Sequence, residues 1–111
     1  MKIRWWLGLL GAIVAIAIIA IATPVLSSVD SSCRYDGKSL SGKVQFVDSF
    51  PDIKVEFVSS FPDIKVKWVS SFPDDCGEWQ EVDSFPDFTI QEVSSFPDVK
   101  VQIVDSFPGL P

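Results

Sequence analysis

Residues 58–68 read Val-Ser-Ser-Phe-Pro-Asp-Ile-Lys-Val-Lys-Trp, and this eleven-residue unit decides the fold. Its second part, Ile64-Lys65-Val66-Lys67-Trp68, alternates apolar and polar side chains with β-branched residues at the apolar sites, the pattern of a strand with one face buried. Its first part cannot continue that strand. Pro62 lacks the N–H an internal strand would donate, and it disfavours helical geometry at Phe61, which is expected to be extended. Asp63 is placed to close a local Asx turn. The unit therefore predicts one corner and one strand.

The same unit recurs along the chain: VDSFPDIKVEF from Val47, VSSFPDDCGEWQE from Val69, VDSFPDFTIQE from Val82, VSSFPDVKVQI from Val93 and a truncated VDSFPGLP from Val104. The period is 11 residues, stretched once to 13. A second symmetry relates residues 42–47 to residues 77–82 at an offset of 35, so two similar halves carry three motifs each. Because eleven is odd, an uninterrupted strand would turn the repeated valine to the opposite face in each successive unit. A corner that resets the direction at Pro51, Pro62, Pro73, Pro86 and Pro97 removes that conflict. On this reading Phe50, Phe61, Phe72, Phe85, Phe96 and Phe107 point inward as core plugs.

Units of one strand and one corner cannot bury their own apolar faces, so they must stack into a solenoid or close into a ring. Closure also removes exposed edge strands. The expected architecture is all-β, a small closed ring or solenoid of about seven short strands. They lie around Tyr35 and at 43–47, 53–58, 64–69, 78–82, 88–93 and 99–104. Residues 34–40 stand as a degenerate first unit.

Ahead of this domain (33–111) lie a short linker (27–32) and an N-terminal segment (1–26). Within that segment, residues 5–22 form an apolar run of 18 residues with no charge. As a helix it nearly spans a hydrocarbon core of about 30 Å. Two readings of the run stand: a retained transmembrane anchor, or a signal peptide cleaved after Ala22, where Ala20-Ile21-Ala22 offers the small residues a signal peptidase accepts. In either case Lys2 and Arg4 hold the N-terminus in the cytoplasm and the domain is delivered outside, facing the periplasm or cell exterior or secreted. Trp5 and Trp6 fall at the membrane boundary.

Export governs the cysteines. Cys33 and Cys76 are the only two in the chain and are expected to form a disulfide in an oxidising compartment. Without a histidine they cannot complete a usual zinc site.

After residue 22 seven basic residues face fifteen acids, a net charge of 7 − 15 = −8. Such a surface repels nucleic acid and anionic lipid, and no nucleic-acid partner is expected. No catalytic residue is assigned: Ser49, Ser60, Ser71, Ser84, Ser95 and Ser106 recur in repeat register as scaffold residues do, and a nucleophilic serine needs a base and an orienting partner in a chain that has no histidine. The chain reads as a non-enzyme without a cofactor. Asp52, Asp63, Asp74, Asp87 and Asp98 recur at one position, and a ring would gather them into a row that presents carboxylates to a hard cation such as Ca²⁺. Turn capping is the competing reading of that row. Trp79 could serve as a sugar-stacking platform or fill the core. The principal reading is a structural or protein-interaction module with an unidentified envelope or extracellular protein partner, and the second is a calcium- or glycan-binding module.

The V-[DS]-SFPD-x-[KT]-[VI] units, the CRYDGKSLSGKVQFV lead-in from Cys33, the insertion Cys76-Gly77-Glu78-Trp79-Gln80 and the terminal SFPGLP together resemble the bacterial 7(1) septoil knot family. The resemblance covers residues 33–111. It implies seven repeated β elements threaded as a torus knot, and it brings no established activity. Glu81 and Glu92 depart from the pattern, standing where Phe46, Phe57, Trp68 and Ile103 stand in other units, so one half of that face should be wetter.

Overall fold

The computed structural model describes residues 28–111, and the apolar run at 5–22 lies outside the described residues. Eight strands follow in order: β1 (Arg34–Tyr35), β2 (Lys38–Ser39), β3 (Gly42–Phe46), β4 (Ile53–Phe57), β5 (Ile64–Trp68), β6 (Glu78–Glu81), β7 (Phe88–Glu92) and β8 (Val99–Ile103). No helix occurs among the described residues. The expected strand around Tyr35 does not join the ring. It forms an antiparallel hairpin with β2, in which Asp36 and Gly37 take φ of 50° and 82°. Asp-Gly with both residues left-handed is the type I′ turn that matches strand twist.

The other six strands close a barrel in the order β3-β6-β5-β8-β4-β7, and every pairing is parallel. Strands of the first half (β3, β4, β5) alternate with strands of the second (β6, β7, β8). The chain thus circles the axis twice, taking every other position on the first circuit and filling the gaps on the second. Ladder partners are distant in sequence: Val44 faces Phe88, Ile53 faces Ile90 and Val55 faces Val99.

With β6 counted from Gly77, the residue before it, each of the six pairings is offset by two residues, as where the third residue of β3, Val44, faces the first of β7, Phe88. The offsets sum to a shear of 6 × 2 = 12 around six strands, which demands steep tilt. Because the offset is even, inward parity is conserved around the ring. Val44, Ile53, Val55, Ile64, Val66, Trp79, Phe88, Ile90, Val99 and Val101 all face the axis and are buried. The third-position residue of each strand lies level with the first-position residue of the next. The first inward position is held by glycine at Gly42 of β3 and at Gly77 immediately before β6, and the indole of Trp79 is fully enclosed. Its Nε1 donates to the Leu40 carbonyl at 3.1 Å, and its ring meets Trp68 and Phe88 edge-on with centroids 5.8 and 5.5 Å apart.

The outer face carries Lys54, Thr89, Gln91 and their equivalents, so these parallel strands alternate apolar and polar instead of running continuously apolar. At the C-terminal mouth Phe46, Phe57 and Trp68 meet across the axis, with Phe46 centroids 6.5 and 5.9 Å from the other two. Glu81 and Glu92, on the strands either side of Phe46, leave that mouth acidic on one side.

Candidate functional site: the outer straps

Consecutive strands are not neighbours, so each corner has to vault the strand between them. Residues 47–52 join β3 to β4 across β7, 58–63 join β4 to β5 across β8, 82–87 join β6 to β7 across β3, and 93–98 join β7 to β8 across β4. Each strap is pinned to the strand beneath it. The repeated valines continue the ladder: the Val47 and Val82 amides donate to the Ile90 and Val44 carbonyls. Gln91 Nε2 then donates to the Asp48 carbonyl of the strap above it, and Gln45 Nε2 to that of Asp83, both at 2.9 Å.

The aspartates close the far end, and they do so at long range instead of in local Asx turns. The Asp52 amide donates to the Thr89 carbonyl, and Asp52 Oδ2 accepts from the Thr89 amide. The same two-point clasp joins Asp63 to Lys100, Asp87 to Lys43 and Asp98 to Lys54. In the last unit Gly109 replaces the aspartate and exchanges two backbone hydrogen bonds with Lys65, both at 2.8 Å. Asp74 clasps no strand; its amide donates to the Phe72 carbonyl within its own strap. The expected row of cation ligands is thereby corrected: four of the five carboxylates are spent on separate strands, and among the described residues no three acidic, histidine or cysteine side chains converge on one point.

The corner phenylalanines are the largest departure from the sequence reading. Phe50, Phe61, Phe72, Phe85, Phe96 and Phe107 are 80 to 97% exposed, and none plugs the core. All six have φ between 52° and 57°, left-handed where the residue before proline was expected to be extended. Two causes act together. The barrel interior is already filled by the first and third residues of the strands, and a strap passing over the outside of a strand turns its apex outward. Their prolines are half-buried. The result is a belt of six protruding aromatic rings, spaced by one strand position around most of the barrel. A non-glycine residue in left-handed geometry costs roughly 1–2 kcal/mol, and β-branched or bulky residues are uncommon there.

The cysteines form the expected disulfide, Cys33–Cys76, with Cα atoms 6.0 Å apart. It ties the lead-in hairpin to the one strap that does not vault a strand, residues 69–77, which joins the directly paired β5 and β6. The lead-in is further held by Asp30 Oδ1, which accepts from the Ser32 amide and hydroxyl and from the Arg34 amide. The Ser32 hydroxyl bond is the main cause that lowers the Asp30 carboxyl below the ordinary aspartate value. Trp79, proposed from sequence as either sugar platform or core, is core with no exposed surface. The Asp-Gly pair at 36–37 is itself a hairpin signal, and it takes residues 34–40 out of the repeat.

No curated protein matches this chain. Residues 37–111 match the 7(1) septoil knot domain, which takes in the barrel, its straps and the second strand of the lead-in hairpin, and the chain therefore belongs to the 7(1) septoil knot domain family.

Proposed function

We propose that this domain is a structural or protein-interaction module of the cell envelope. It is held on the outer side of the cytoplasmic membrane through residues 5–22, or secreted if the chain is cleaved after Ala22, and it engages an envelope or extracellular protein through its phenylalanine belt. The backbone threading implied by the family, a torus knot, makes the module rigid and resistant to unravelling. The disulfide is compatible with an oxidising, extracytoplasmic setting. We assign it no catalytic role.

One observation carries the reading: six phenylalanines, at least 80% exposed, held at the same unfavourable φ. Stability does not ask for them. Asparagine or glycine would tolerate the left-handed backbone better, and an exposed ring contributes little burial to the folded state. Aromatic knobs on a rigid frame are what protein partners use as anchors, because a ring with two torsions loses little entropy when it enters a pocket. The net charge of −8 after residue 22 selects against acidic partners and favours a basic or neutral one.

The test is site-specific photo-crosslinking in intact cells, with a photoreactive phenylalanine analogue at Phe85 or Phe96 and, as control, at the exposed Lys54. A discrete protein adduct from the belt positions, missing from Lys54, is the expected result. Identical adducts from all three positions, or none from the belt, would refute it.

A further inference from the structure

Every other strap lies closed on the strand beneath it, but the 69–77 strap does not. Between it and the lead-in lies an open cleft of about 660 Å³, within the range of small-ligand sites. One wall is the lead-in and the start of β3, carrying Lys38, Ser39, Ser41 and Lys43; the other is Pro73 and Asp74. Gly42 and Phe88, both buried, and Asp87 form the floor.

Four features set this place apart. Asp74 is the only one of the five repeated aspartates whose carboxylate has no partner among the described residues. The Asp87 carboxylate is already engaged by the Lys43 amide at 2.7 Å, so it shapes the floor while Asp74 remains available. Lys38 and Lys43, two of the seven cations of a strongly acidic domain, line the same cleft as Asp74. The Ser39 and Ser41 hydroxyls, 3.3 Å apart, belong to residues of the same lining and add paired donors and acceptors.

We propose that this cleft binds a short zwitterionic peptide, with the ligand carboxylate on Lys38 and Lys43 and its ammonium on Asp74. The alternatives fit worse. Polyanions meet the −8 field, an apolar ligand would leave Asp74 and the lysines of the lining without partners, and a sugar finds no open aromatic face because Phe88 is 2% exposed. A peptide of two or three residues spans roughly 7 to 11 Å when extended, a length suited to a cleft of this volume. Because both charged walls are solvated, a dissociation constant on the order of 1 mM is expected. This inference does not depend on the belt: it rests on the one junction where the repeat is broken, and its ligand is small.

The experiment is a titration of full-length, oxidised protein in detergent micelles, followed by backbone amide resonances. Three probes are compared: alanyl-alanine, its N-acetyl form and its C-terminal amide. The free dipeptide should give saturable shifts at Ser39, Ser41 and Asp74, and each capped form should bind about tenfold more weakly, the loss of one charge-assisted contact. Asp74→Asn should erase the preference for the free amine, and the double change K38Q/K43Q the preference for the free carboxylate. Asp74 is exposed and unclasped, so its replacement leaves the fold intact, which the dispersion of the same spectra verifies. No saturation, shifts centred elsewhere, or equal binding of all three probes would overturn the proposal.

Discussion

Asp87 and Lys43, 44 residues apart, hold each other at two points: the Asp87 amide donates to the Lys43 carbonyl at 2.8 Å, and the Lys43 amide donates to Asp87 Oδ2 at 2.7 Å. This clasp closes the second circuit of the chain onto the first. Its symmetry mate, Asp98 with Lys54, does the same two strand positions on, across β7.

Removing the carboxylate should weaken that closure. Asp87→Ala is expected to cost about 1 kcal/mol, since the charge-assisted bond is exposed to water and is replaced in part by solvent. Asp74→Ala, with no clasp to lose, should stay within about 0.5 kcal/mol of the parent. Urea unfolding of the two variants side by side decides it, and equal costs would mean the clasps do not hold the straps.

Gly77 sits where the last strap returns. A methyl group there would collide with the Lys65 carbonyl oxygen and crowd the Gly109 amide, and its φ of 85° is already left-handed. Both groups belong to the Lys65–Gly109 pair that fastens the chain end. Gly77→Ala should therefore cost roughly 2–4 kcal/mol, combining left-handed strain with overpacking. A thermal melt within about 2 °C of the parent would show that the terminus is not seated between β5 and β6.

The belt and the core should respond oppositely to truncation. Phe85→Ala, at a ring that is 92% exposed, is expected to change stability by less than about 0.5 kcal/mol. Trp79→Ala removes a fully enclosed indole and the bond to the Leu40 carbonyl, and should cost about 3–5 kcal/mol or more. Equilibrium unfolding of both variants measures the contrast, and a large loss for Phe85→Ala would place the belt in the core after all.

The disulfide closes a loop of 43 residues, and the double change Cys33→Ser/Cys76→Ser should cost about 4 kcal/mol on the chain-entropy estimate. The effect should be greatest where the lead-in meets the 69–77 strap. Hydrogen exchange at the Gly77 amide and the Trp79 indole, both bonded to the Leu40 carbonyl, should accelerate more than exchange at Val93. Uniform acceleration would instead indicate that the staple stabilises the whole barrel equally.

Tyr35, the only tyrosine, is held above the ordinary phenol value, first by desolvation and then by the neighbouring Asp98 carboxylate. With the folded value above the unfolded one, its contribution is fully present below about pH 10 and is lost as pH rises through the folded value. Asp98→Asn should bring the ultraviolet tyrosinate transition down without restoring it fully, because desolvation is the larger cause. A transition unmoved by Asp98→Asn would separate the two side chains.

Much of the barrel was legible locally. Ile64, Val66 and their equivalents announce their inward face through the period of two, and the prolines announce where each strand stops. The lead-in is less legible because Arg34 to Leu40 carries a hairpin of its own, with a two-residue Asp-Gly turn, inside a stretch that resembles a worn repeat. The binding features were less legible still. Asp74 is identical in sequence register to Asp52, Asp63, Asp87 and Asp98, and only the two-residue insertion that includes Cys76 hints that its strap lies differently.

By itself the sequence determined that the domain is a β ring or solenoid of repeated strands with two matching halves and a disulfide, because parity, proline and cysteine count act locally or by elimination, while closure into a barrel is seen only in the tertiary structure. Only the tertiary structure decided that the halves interleave and that the phenylalanines face water. Near-identical units make every strand pairing equally good locally, so order is set by what a six-residue strap can span, and that span is one intervening strand. Once the straps run outside a barrel already filled by Ile, Val and Trp79, their apices have nowhere to point but outward.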